Sequence, residues 1–236
     1  MPVVVRRGVT VRKYFYIGAV AAAALVAALP AAASAATPVH VLTTGKVGGP
    51  AVAPKAVLKA SLVKKTSVVF ATNLGKLTCT KSTFTAKVVT NPVKGTATKP
   101  ATATESITAE TFAGCTIKVT GFTVIIKSIT VAHLPYNATV SDAKGLPVKI
   151  SGRSKALPLL LTVVVQVGTG KPFSCGVKAA SIVGVASNKG STTTFVKQTF
   201  KKASGGTLCP ASGTFSASYG PVQDTSVKGN PAIFVN

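Results

Sequence analysis

The chain has 236 residues, with 27 Lys and Arg against 4 Asp and Glu, for a formal charge of +23. Four carboxylates and two histidines leave little material for general acid–base catalysis. Once the leader is removed, every basic residue except Arg153 is a lysine. Such a surface suits diffuse attraction to anionic polymers better than the bidentate recognition of phosphates or bases that arginine provides.

The first element is an export signal, residues 1–36. Arg6, Arg7, Arg12 and Lys13 form its basic region, an Ala-rich apolar run covers 17–29, and Pro30 precedes the small-residue cleavage site Ala33-Ser34-Ala35. The apolar run is short for a membrane span, which needs about 20 residues. Lysines interrupt every later apolar stretch, so no span is expected after cleavage. Arg6-Arg7 leaves the twin-arginine route open beside general secretion. Loss of the four basic residues lowers the charge from +23 to +19.

Residues 37–54, rich in Gly, Pro and small side chains, read as a flexible arm or leading strand. Beyond them Val, Thr, Ile and Phe fill short runs punctuated by Gly, Pro and Asn, which is strand composition. Residues 56–63 fit a short helix or a strand. Residues 82–88 alternate, with Phe84, Ala86 and Val88 on one face. Residues 91–104 read as an exposed loop. Residues 122–131 are an apolar run broken by Lys127 and Ser128, and form one long strand or two with a bulge. Pro147 and Pro231 suit the first residues of closing strands, and Tyr136 and Tyr219 each read as a half-buried aromatic or as a hydroxyl pinning a loop.

Much of this is written twice. Cys79 and Cys115 are 36 positions apart, and Cys175 and Cys209 are 34 apart. Residues 66–79 read like 161–175, and the stretch from Tyr136 through Asp142 to Pro147 reads like Tyr219 through Asp224 to Pro231. An even cysteine count in an exported chain favours disulfides. The duplication selects Cys79–Cys115 and Cys175–Cys209 among the three possible connectivities. The expected fold is all-β: two tandem immunoglobulin-like sandwich units, residues 55–152 and 153–236, with one disulfide each. One larger two-sheet sandwich is the alternative.

No catalytic, cofactor-binding or metal-ligating set emerges. There is no CxxC, and His40 and His133 match no ligand spacing. His133 and Asp142 lack a serine in a nucleophile context. Glu105 and Glu110 stand at odd spacing, so on a regular strand they face opposite sides and are expected to be solvated or lysine-paired. Asp142 and Asp224, repeated in both units, fit turn-stabilising roles. The phenylalanines fall on apolar faces and read as core.

The alanine-rich leader, Leu77-Thr-Cys79, Asn91-Pro92, Leu134-Pro-Tyr136 and the ending from Tyr219 to Asn236 resemble a group of small secreted actinobacterial proteins known mainly by their export signal. The resemblance implies export from a Gram-positive cell and brings no site residues. The expectation is a secreted, non-enzymatic, monomeric structural or binding protein without specific nucleic-acid recognition. Its lysine surface would hold it near anionic cell-wall polymers. The alternative is an extracellular carrier of a small apolar ligand, which an apolar cleft of several hundred Å³ would favour.

Overall fold

Branched and aromatic side chains on alternating positions make extended backbone the favoured state along most of this chain. The computed structural model describes residues 37–236, so the expected export signal, residues 1–36, lies outside the described residues. The first half contains β1 (Leu42–Thr44), β2 (Val57–Ser61), β3 (Val68–Thr72), β4 (Lys76–Thr90), β5 (Thr102–Lys118), β6 (Val124–Ala132), β7 (Tyr136–Ser141) and β8 (Pro147–Ser151). The second contains β9 (Leu159–Val167), β10 (Phe173–Ala179), β11 (Ser181–Ser187), β12 (Thr192–Ser204), β13 (Ser212–Tyr219), β14 (Gln223–Asp224) and β15 (Ile233–Val235). The described residues contain no helix, so 56–63 resolves to the strand β2.

Thirteen strands form one antiparallel sheet, and β1 pairs with β15 in a small second one. The order β11-β8-β7-β5-β4-β3-β13-β12 returns on itself because β12 also pairs with β11, closing an eight-stranded barrel. Closure removes the exposed edges that an open sheet must protect. The strand β12 can do this because it serves two neighbours along one edge. Thr192–Phe195 pair with β11, while Lys201, Lys202 and Ser204 pair with β10. Between them the register with β13 shifts after Phe195. From β10 the sheet continues through β9 to β6.

Five pairings cross the boundary expected near residue 152: β1 with β15, β2 with β14, β3 with β13, β9 with β6, and β8 with β11. Residues 37–236 accordingly form one compact unit, and the sheet closes as a barrel where open sandwiches were expected. The all-β class and both disulfides are present as read from the sequence. Cys79–Cys115 joins directly opposed residues of β4 and β5, and Cys175–Cys209 ties β10 to the loop after β12.

Residues 37–54 are a leading strand and not a loose arm. Val41, Leu42 and Val52 are buried, and Asn91 clamps the segment by accepting from Leu42 N at 2.8 Å and donating to the Leu42 and Val52 carbonyls. The chain end docks beside it, with the Asn236 amide donating to His40 O and to Thr43 Oγ1. Pro147 does begin a strand, but β8 is paired on both sides and is not an edge. The loop between β4 and β5 is pinned by Asp142, whose carboxylate accepts from Gly95 N and, at 2.7 Å, from Ala101 N.

Candidate ligand cavity

Two irregularities in the longest hairpin decide which side chains reach the barrel interior. In β4 the buried positions run Leu77 and Cys79, then Ser82, then Ala86 and Val88, so the strand changes face once at Thr80–Lys81. Opposite, Gly114 takes φ +58, and a Cβ there would lie 2.3 Å from Thr80 Oγ1. Only glycine accommodates both conditions. In β5 the register shifts so that Thr85 faces Ala109 while Ala86 faces Ile107, leaving Thr108 as an inserted residue. A bulge of this kind reverses the inward–outward alternation beyond it.

The bulge overturns the expected placement of the two glutamates. Ala103, Glu105 and Ile107 point inward before it, and after it Glu110 lines the interior. Glu105 is 9% exposed, and burial raises its carboxyl to about 7. Glu110 is raised to about 7 by burial as well, against the opposing effect of a hydrogen bond from Tyr219. Its partner is that tyrosine hydroxyl, at 3.2 Å, and not a lysine. Tyr219 in turn meets Ser82 Oγ at 2.9 Å and stacks edge-on against Phe84. Burial and then the Glu110 charge push the Tyr219 phenol well above its ordinary range.

Tyr136 does pin backbone. Its hydroxyl donates to Ala132 O and accepts from Leu160 N at 3.1 Å, fixing the end of the β6–β9 ladder. Tyr219 points into the barrel and pins side chains instead. Asp224 accepts from Ser226 N at 2.9 Å in the expected Asx turn. His40 and His133 meet the Asn91 and Pro158 carbonyls through Nδ1, each within a loop. No group of three or more His, Cys, Asp or Glu converges among the described residues.

Among the described residues, two chambers adjoin. The outer one, about 400 Å³, lies between the barrel strands β3, β4 and β5 on one side and the strands β6, β9 and β10, which extend the sheet beyond the barrel, on the other. Leu77, Ile117, Leu161, Val163, Val165 and Phe173 form its apolar lining. The inner one, about 100 Å³, holds Glu110, Tyr136, Tyr219, Phe84 and Phe195. Phe70, Leu161, Val177 and Phe200 wall both chambers. The Phe70 ring packs 5.1 Å from Phe215, 5.9 Å from Phe112 and 6.0 Å from Phe200, so this aromatic cluster is at once core and partition. At the outer end stand Leu74, Phe122 and Leu208, with Phe122 64% and Leu208 68% exposed. Cys175 lines the outer chamber, and Gly205, at φ +107, lets Cys209 Sγ approach where a Cβ would stand 2.4 Å away.

Cavities of about 300–1,000 Å³ accommodate small organic molecules. The outer chamber falls within this range. The chain matches no family model, no curated protein and no solved structure.

Proposed function

We propose that the protein is a secreted, non-enzymatic carrier or binder of a small apolar ligand held between the barrel wall and the strands β6, β9 and β10. The observation that carries this reading is the apolar chamber of about 400 Å³. Packed strands normally fill such a space with side chains, because an empty apolar cavity costs stability roughly in proportion to its volume. A protein stapled by two disulfides that still leaves this space open has a use for it. Exposed Phe122 and Leu208 at the mouth offer apolar contact to an entering ligand. The disulfides and the leader support an extracellular setting. The reciprocal ladders β3–β13 and β9–β6 support an internal duplication as the origin of the repeat.

The test uses Nile red, a neutral dye that brightens in apolar sites, with the secreted protein and its Val165→Trp variant. Val165 is buried on β9 and lines the outer chamber. Filling the space should weaken dye binding by about tenfold or more, a change of about 1.4 kcal/mol. Equal binding by both proteins would place the dye elsewhere and remove the support for a carrier.

A second reading rests on charge. Every described lysine is exposed except the half-buried Lys202. Such a surface is suited to weak, salt-sensitive association with anionic wall polymers, which would hold the carrier at the envelope. The two readings concern different parts of the molecule, its cavity and its outer face.

A further inference from the structure

We propose that Glu110 and Tyr219 form the head-group end of this cavity, and that the ligand is an apolar chain or ring system ending in a hydrogen-bond donor, an alcohol or a primary amine. The assignment rests on the carrier reading and adds the chemical class of the ligand. The two chambers share Phe70, Leu161, Val177 and Phe200, so one elongated molecule placed in the outer chamber has its inner tip directed at the inner one. Glu110 is the only carboxylate lining the inner chamber, and Tyr219 and Tyr136 are its phenols. The exposed Lys178 and Thr199 and the half-buried Gln198, whose amide donates to Val196 O, complete its polar lining.

The hydrogen bonds set the polarity of this end. Tyr136 is committed to backbone at Ala132 and Leu160. Ser82, Tyr219 and Glu110 form a chain in which a Ser82 hydroxyl donating to Tyr219 leaves the Tyr219 proton for Glu110 Oε1. An ionised carboxylate is an acceptor only and takes about four hydrogen bonds. One donor from Tyr219 leaves most of that capacity facing the chamber that Glu110 lines. A ligand hydroxyl or ammonium satisfies it, whereas a ligand carboxylate meets like charge at the ionised Glu110, beside two phenols whose protons are already committed to Ala132 O and Glu110. Burial, which lifts Glu110 to about 7, makes an added donor more valuable because it offsets lost hydration.

The competing influence is Lys178, whose exposed side chain also borders the inner chamber. As a solvated point charge it attracts anions weakly, while Glu110 acts at contact distance in a less polar surrounding. If Lys178 dominates, the preference reverses, so the two origins are separable by experiment.

The experiment is displacement of Nile red from the secreted full-length mature protein by decanol, decylamine and decanoic acid, which share a tail and differ in the head. Decanol and decylamine should compete at concentrations about tenfold below decanoic acid. Glu110→Gln keeps the shape and adds an amide donor, so, with each displacement referred to that variant's own Nile red affinity, it should bring decanoic acid to within about threefold of decanol. Tyr219→Phe removes the donor to Glu110 and should sharpen the preference for decylamine. A preference for decanoic acid in the unmodified protein, or one for decanol and decylamine that persists undiminished in Glu110→Gln, overturns the assignment. If all three compounds compete equally, the carrier reading stands and the head-group assignment falls. If neither the dye nor any compound binds, both fall.

Discussion

At Glu105, 9% exposed on β5, burial without a charged partner lifts the carboxyl to about 7 from its ordinary 4.5. An acid whose folded-state pKa lies above its unfolded one holds its proton more tightly when folded. Its effect on stability is therefore neutral below about pH 4.5 and increasingly unfavourable up to about pH 7, after which it stays constant. Glu105→Gln should match the parent at about pH 4 and exceed it at about pH 8 by up to about 3 kcal/mol, the upper end of what such a shift can yield. Urea unfolding at both pH values checks this, and a difference that does not change with pH would contradict it. The inward turn of Glu110 was hidden by a single inserted residue, Thr108. One trace of it is legible in the chain. Ile107 and Phe112, two large apolar residues at odd separation, can both face inward only if the alternation between them is broken.

Among the elements, strands with clean alternation were readable. Phe84, Ala86 and Val88 line one face of β4, and the break at Lys127 in β6 is a bulge where the register with β9 shifts after Ile126. The closing strand β15 was readable from Pro231 and the apolar residues after it. Its partner was not, because β1 lies nearly two hundred positions away in a segment whose Gly and Pro content resembles a linker. The β1–β15 ladder carries Ile233 and Val235, both 6% exposed, and the Asn236 amide. Deleting residues 233–236 should cost roughly 3–5 kcal/mol, the scale of large core truncations, read as a fall in melting temperature. An unchanged melt would show that this ladder contributes nothing to the folded state.

For the whole molecule, the all-β class and the similar spacing of motifs along the chain were legible, and the way the strands combine was not. Two stretches of similar pattern are equally compatible with side-by-side units and with strands that pair across them. The choice depends on registers between β3 and β13, β9 and β6, and β8 and β11, which no local pattern encodes. The cavity was beyond reach for the same reason, since its walls come from strands spread over most of the chain. The cysteine spacing did mark the two loops that are stapled, and closures of this length stabilise by roughly 3.5–4 kcal/mol each in the chain-entropy model.

Native mass spectrometry of the protein recovered from its own host, without denaturation, tests the central claim most directly. The parent protein should carry a small organic adduct that is released by organic solvent and is absent from the Val165→Trp variant. A bare polypeptide mass in both proteins, or the same adduct in both, would contradict the proposal that the protein holds a ligand in its outer chamber.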